Sequence, residues 1–441
     1  MSIQTAKDAL IQRINTVSET STSLEDLSYA SAALAKLSEA QPTITDPDIY
    51  TIGTPGTFGF GVGALQTDDI PTGWTPLSGH DDPNSANYGN YLDPLGSHMV
   101  FIPKFWYKWS GNTVLISKIP ASGYVLPEAF RFCSKGFFHG KTHFGNVEGK
   151  AITKIGIAPC STATDNNPIG NLTGTPPNTY AGVITAVKLL SADHHAESVF
   201  EAYALAIIAK AHSSASQNTA VCAFKDVLPH LPKGNNNNAL KDANDRGVEF
   251  VTAGNATYPA CALTGSGFPF AKTTHNGQSC GVADVNGSMW RVNIGLTKAN
   301  ETDGIFQILK TTVNPNDITA ANLHDAANYD NIDLTDLMPS GAQGSILFGN
   351  SAEQVFSTSV DTNSLDFRRA NAGIPLSTGV SSGGTNDFGN DQFYRYWRTN
   401  MMPLVGGYWG YASGAGVFGR AVAYPSSDSS YVAGGAACVS L

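Results

Sequence analysis

In the body of this chain one stretch holds a helical apolar period for several turns, while the rest breaks into short runs. In residues 191–214, "SADHHAESVFEAYALAIIAKAHSS", Ala196, Phe200, Tyr203, Ile207 and Ala211 recur at helical spacing. Val199, Ala204 and Ile208 widen that stripe, so the segment predicts one buried helix. Around it the apolar runs are short and separated by turn residues. "MVFIPKFWYKWS" (99–110) and "NTVLISKIP" (112–120) predict a hairpin about Gly111. Asn286-Gly287 marks a tight turn, after which Ser288 to Asn293 run out as a strand with Trp290 available to fill a core. One main helix among short antiparallel strands and long loops is an α+β pattern.

Composition narrows the partners. Charged residues are 14% of the 441, and 45 are glycine, which suits a loop-rich, extracellular type of surface. Aromatic and apolar residues are too plentiful for disorder. A formal net charge of −10 repels phosphate backbones, so nucleic acid is not an expected partner. No run of 18 apolar residues is present, so no membrane insertion is expected. "MSIQTAKDALIQ" lacks the layout of a signal peptide, which predicts synthesis in the cytoplasm.

Residues 1–42 have a different texture. Leu10, Ile11, Ile14 and Val17, then Leu27, Ala30, Leu34 and Leu37, make two narrow helical stripes, with Ser23 and Asp26 resembling a capping box between them. Narrow stripes gain little alone and need partners. The segment reads as an oligomerisation or docking stalk, or as a helical hairpin on its own domain, with "QPTITDPDIY" as linker.

No catalytic constellation emerges. Gly59, Gly61 and Gly63 faintly suggest a dinucleotide loop, but no βαβ unit follows. Ser266 lies in "TGSGF", a turn rather than a nucleophile elbow. Cys133, His139 and His143 are close in sequence but lack the paired spacing of a zinc site. His194 and His195 fall at the predicted helix start. "DDPNSANYGNYLD" (81–93), with Asp81 and Asp82, suits an Asx-rich turn better than a calcium loop. Cys133, Cys160, Cys222, Cys261, Cys280 and Cys438 are scattered singly and read as buried small hydrophobes, with Cys261 and Cys280 the pair to examine for a bond. No cofactor, metal or catalytic residue is expected.

The C-terminal stretch "GGYWGYASGAGVFGRAVAYPSSDSSY" (406–431) raises a different chemistry. Large contact residues, Tyr408, Tyr411, Tyr424 and Tyr431 with Arg420 and Asp428, stand in a background of glycine, serine and alanine. Tyrosine offers a stiff amphipathic contact at low entropic cost, and small residues adapt around it. Trp409 and Phe418 read as fixed core residues beneath the display. The bland alternative is a structural loop rich in glycine and tyrosine.

Several longer motifs carry a resemblance. "VADVNGSMWRVNIGL" (282–296), "LVGGYWG" (404–410) and "GGAACVSL" (434–441) resemble elements of the formylglycine-generating-enzyme-like branch of the C-type lectin fold. "GTPGTFGFGVG", "ANYGNYLDPLGSHMVFIPKFWYKW", "AIIAKAHSSAS", "PKGNNNNALKDAND" and "FAKTTHNGQSCGVADVNG" resemble phage and prophage tail proteins diversified by retroelements. The resemblance runs from about residue 51 to the C-terminus. It implies a C-type-lectin-like domain over 51–441, with loop insertions at about 298–390 and a variable region at about 404–441. It further implies receptor recognition at the tip of a phage or prophage tail, on a virion, by a homotrimer that also contacts other tail proteins. The receptor would be a protein or polysaccharide on a bacterial cell surface.

In such relatives adenines of a template are randomised when copied into the C-terminal coding segment. The positions this implies for ligand binding are Tyr408, Gly410, Tyr411, Gly414, Arg420, Ala421, Ala423, Tyr424, Asp428, Ser430, Tyr431 and Val432. Two strands meeting there would turn alternate residues outward. The chain also departs from the enzyme branch. The oxidase members carry a cysteine pair soon after the Gly-Gly strand, whereas Tyr408 follows Gly406-Gly407 here and the next cysteine is Cys438. Arg291 stands where that branch has glutamate, and no Glu-Pro-Asn or Gln-Pro-Asp triplet for calcium-dependent sugar binding occurs. The rival readings are an oxidase or hydrolase on the same fold, and a cell-associated diversified bacterial binder.

Overall fold

The capping of the central helix explains where its helical pattern begins. In the computed structural model, helix α2 spans Val199–Ala215, and Ser198 caps it. Ser198 Oγ accepts from the Glu201 amide at 3.3 Å, and Glu201 Oε2 accepts from the Ser198 amide at 2.7 Å, a reciprocal box that satisfies two otherwise orphaned donors. The expectation of a helix from residue 191 is corrected: His194–Ala196 is a strand, because a partner strand from the far end of the chain holds it extended. The helix is buried on nearly every side rather than along one stripe, with Lys210 the break in the run to Ala211. A helix apolar all round sits inside a domain.

The structure describes residues 50–226, 249–252, 260–267, 269–339, 343–348, 355–376 and 388–441. The expected stalk at 1–42, its linker up to residue 49 and the polar loop "PKGNNNNALKDAND" lie outside the described residues.

Numbered in chain order, the strands form two sheets of six. The first has the order β1 (Thr75–Pro76), β2 (Asn90–Leu92), β3 (His98–Pro103), β6 (Gly136–Gly140), β21 (Ala437–Ser440), β9 (His194–Ala196), and every pairing in it is antiparallel. Its two faces are both covered. Phe101, Phe138 and Val439 lie in one cross-strand row beside Tyr91, Met99 and Trp74. The alternate row, Val100, His139, Cys438 and His195, belongs to the opposite side. The second sheet has the order β16 (Gly344–Leu347), β17 (Gln392–Arg395), β19 (Arg420–Val422), β18 (Leu404–Val405), β12 (Trp290–Val292), β20 (Ala433–Gly434). It is mixed: β17 pairs β19 and β12 pairs β20 in parallel.

Smaller units complete the body. β4 (Trp106–Ser110) and β5 (Thr113–Ser117) form a hairpin about Gly111, but the expected first arm over 99–110 is corrected: residues 99–103 belong to β3, paired with β2 and β6 in the first sheet. β7 (Phe144–Val147) pairs β8 (Lys150–Thr153), and β10 (Phe250–Thr252) pairs β11 (Ala260–Ala262). Residues 298–390, expected as surface loops, hold more order than that. β13 (Leu296–Thr297), β14 (Ile305–Leu309) and β15 (Tyr329–Asp333) make a meander, and α3 (Leu365–Asn371) packs beside it. Arg368 of α3 bonds Asp330 Oδ2 at 2.6 Å and Arg369 bonds Asp336 Oδ2 at 3.0 Å. A third helix, α1 (Tyr180–Lys188), is capped by Thr179, whose side chain accepts from the Gly182 amide. The result is a mixed α+β architecture of small, mostly antiparallel sheets and few helices. Among the described residues no helix is long and apolar enough to cross a membrane.

The glycine-rich stretch after residue 51 is packing. A Cβ on Gly61 (φ +88°) would meet Ile208 Cγ2 of α2 at 2.5 Å, and one on Gly63 would meet Pro103 Cγ at 2.3 Å. Close approach of backbone to helix and strand demands glycine there.

Candidate binding surface

Strand β18 is followed by Gly406-Gly407, both at positive φ (90° and 82°). A Cβ on Gly407 would meet Ala415 Cα at 2.7 Å, so the chain can fold back only on glycine. The Gly416 amide donates to Gly406 O and the Gly406 amide to Gly419 O, each at 3.0 Å, which pins both ends of the loop. Between them Trp409–Gly414 is a 3-10 turn, not the outward-alternating strand expected from sequence. Residues three apart eclipse in such a turn. Tyr408 and Tyr411 therefore meet, ring centroids 4.8 Å apart, while Trp409 (1% exposed) plugs the core beneath them.

A second element brings the next tyrosine to the same place. Tyr424 follows β19 and lies nearly parallel to Tyr394 of β17, centroids 6.1 Å apart. Tyr180 at the start of α1 meets Tyr424 edge-on at 6.4 Å, and the Tyr180 amide donates to Asp428 O at 2.8 Å. Tyr411 also meets Trp290 edge-on at 5.1 Å. Tyr408, Tyr411 and Tyr424 are thus half-buried, packed against the core on one side. Burial pushes the Tyr411 phenol well above its ordinary range, and neighbouring Tyr424, Tyr408 and Tyr394 add to that. Burial, then Tyr394 and Asp428, raise Tyr424. Burial also raises the Asp428 carboxyl, while Arg398 pulls it down. At neutral pH the rings therefore present neutral hydroxyls that can donate or accept.

The structure gathers some of the expected residues and not others. Tyr408 meets Tyr411, Tyr424 meets Tyr394 and Tyr180, and the Tyr180 amide holds Asp428, while Tyr424 lies near enough to raise the Tyr411 phenol. Gly410 and Gly414 lie in the 3-10 turn that shapes it. Ser430 and Tyr431 are half-buried on the loop before β20, where Thr162 Oγ1 donates to Ser430 O at 3.1 Å and Asn166 Nδ2 to Tyr431 O at 2.7 Å. Four expected contact residues are corrected. Ala421, Ala423 and Val432 are buried, and so is Arg420 (1% exposed): β19 is an interior strand between β17 and β18, and Val432 O accepts from the Trp290 amide beside β20. Arg420 Nη1 donates to Val417 O and Gly419 O, both at 3.0 Å, and burial lowers its pKa to about 10. Trp409 and Phe418 are core residues, as expected.

Tyr394 and Tyr180 escaped the sequence reading. Tyr396 and Arg398 lie on the same strand's extension, the Arg398 guanidinium carbon 3.9 Å from the Tyr396 ring centroid. The run "QFYRYWR" (392–398), dense in aromatics and arginine, was the available signal.

Elsewhere the sequence candidates resolve into structural roles. Cys133, His139 and His143 do not share a ligand-distance cluster. His139 bonds Gly140 O and Glu197; the Cys133 thiol donates to Ala129 O; burial holds His143 at about 3. All six cysteines are buried and none forms a disulfide, Cys261 and Cys280 included. Asp82 Oδ1 accepts from the Asn84 amide at 2.9 Å, an Asx turn. Ser266 follows a turn, and the 285–288 turn leads into β12 with Trp290 buried. No family model matches the chain, and no curated protein matches it significantly in sequence.

Proposed function

We propose that this protein recognises a receptor on a bacterial cell surface, with the tyrosine cluster as its contact face, on a domain of the C-type lectin type at the tip of a phage or prophage tail. The observation that carries the reading is the convergence of Tyr408, Tyr411, Tyr424 and Tyr394 from three separate segments into one half-exposed cluster. Contiguous exposed aromatics on a soluble domain mark interaction sites, and tyrosine is a favoured anchor. The scaffold suits display: Trp409, Phe418 and Arg420 are buried below, while the rings above keep part of their surface exposed. Several copies on one particle convert weak single contacts into avidity.

The test uses the full chain carrying Tyr408→Ala, Tyr411→Ala and Tyr424→Ala together. Binding of the labelled protein to host cells should fall at least ~100-fold, since such anchors carry about 2 kcal/mol or more each. Because the rings are half-buried, a modest loss of stability accompanies this, and circular dichroism checks that the fold persists. Undiminished cell binding by the folded triple variant sinks the proposal. The genetic half has its own check: the neighbouring DNA should hold a near-copy of the coding segment for about residues 404–441, differing at adenines.

A further inference from the structure

Two histidine–glutamate pairs lie side by side in the core. Strand register sets His139, Cys438 and His195 in one row across β6, β21 and β9. His139 Nε2 lies 3.0 Å from Glu197 Oε1, and His195 Nε2 lies 2.8 Å from Glu201 Oε1. The first pair is closed. Arg291 Nε and Asn293 Nδ2 each donate to Glu197 Oε2 at 2.8 Å, and His139 Nδ1 bonds Gly140 O at 2.7 Å. The second pair is open. Glu201 has no arginine; its other oxygen takes the Ser198 amide of the capping box, and the Cys438 thiol lies close by. His195 Nδ1 is buried without a hydrogen-bond partner.

The geometry points to a divalent transition-metal site of the zinc type formed by His195, Glu201 and Cys438. Their ligand atoms all lie within 4.8 Å of one another, and all three residues are buried. Imidazole, carboxylate and thiolate are the donor set that zinc accepts and that magnesium and calcium do not. Loaded, the cation would meet one thiolate, one carboxylate and one neutral imidazole, and each proton it displaces passes to solvent. The Glu197 pair offers no such exchange, since Arg291 already neutralises it. The capping role of Glu201 is kept through its other oxygen, so the cation would tie β9 and β21 to the first turn of α2.

The full chain is produced in zinc-supplemented medium, kept reduced, and assayed by elemental mass spectrometry. Zinc close to one ion per chain is expected. After refolding in chelator, one equivalent of cobalt(II) should give tetrahedral visible bands and a near-ultraviolet thiolate-to-cobalt band. Cys438→Ser should abolish the thiolate band, and Cys280→Ser should keep it. Wild-type protein that is folded, holds no zinc above background and gives no thiolate band overturns the inference. So does a thiolate band that survives Cys438→Ser. If Cys438→Ser fails to fold, the wild-type stoichiometry and cobalt spectrum decide alone.

Discussion

Gly61 shows how much a single backbone position can carry. Its φ of +88° is one that a side chain resists by roughly 1–2 kcal/mol, and the missing Cβ makes room for Ile208 of α2. Gly61→Ala adds overpacking of about 1–3 kcal/mol to that strain. Guanidinium unfolding should report a loss of about 3 kcal/mol, and an unchanged midpoint would mean that the turn and helix do not meet there. Arg420 makes the complementary point. It was expected at the binding face because arginine is a frequent anchor, yet its guanidinium spends two hydrogen bonds on the carbonyls of Val417 and Gly419. The same residue type serves as anchor or as brace according to which way its strand faces.

Among the elements, α2 depends most visibly on local chemistry. Its capping box explains both its start and the sharp change from β9 to helix within a few residues. Ser198→Ala should cost about 1 kcal/mol, read as a lower urea midpoint, while Ser198→Gly should cost only a few tenths. Further along the same helix, Tyr203 is fully buried and its hydroxyl accepts from Trp109 Nε1 at 3.2 Å. Tyr203→Ala should be far worse, about 3–5 kcal/mol, because a cavity is added to the lost burial. Equal effects of the two substitutions would contradict the helix's central position. The 3-10 turn at Trp409–Gly414 works at the same scale: its period, not that of a strand, brings Tyr408 against Tyr411.

For the whole molecule, buried titratable groups set the response to pH. Burial is the largest cause holding His98, His143 and His275 at about 3, below their ordinary 6.5. The unfolded chain therefore binds more protons than the folded one as pH falls from 6.5 toward 3, and stability drops over that window. Asp284 works against this. Burial, opposed by the Gly265 amide and Arg291, raises it to about 7, so the folded chain binds one proton more between 3.8 and 7. These four groups alone leave a difference of two protons, a slope of ~3 kcal/mol per pH unit near about pH 5, and His212 and His324, also lowered by burial, add to it. Urea unfolding at a series of pH values checks it. Stability that stays flat on acidification would show these histidines to be accessible, and Asp284→Asn should steepen the fall.

Much of the local structure was legible because its causes are local. Gly111 between two alternating runs placed the β4–β5 hairpin, Asn286-Gly287 placed the turn before Trp290, and the apolar period placed α2 from Phe200 onward. The tyrosine-rich stretch announced itself by composition, and Trp409 and Phe418 were separable as core. What stayed hidden depends on contacts between distant residues. β18, β20 and β13 are two residues long, too short for any period to register, and exist only because neighbours hydrogen-bond to them. His194 and His195 read as helix until β21, more than two hundred residues later, pairs with them. The same pairing sets Cys438 beside His195, which no spacing along the chain could suggest. Tyr394 joins Tyr424 because β17 runs parallel to β19. Sequence determined the turns, the caps and the supply of contact residues, since these follow from backbone preference and side-chain type. Tertiary structure alone decided which side chains face one another, because register and crossover are fixed by burial over the whole core rather than by any neighbour in the chain.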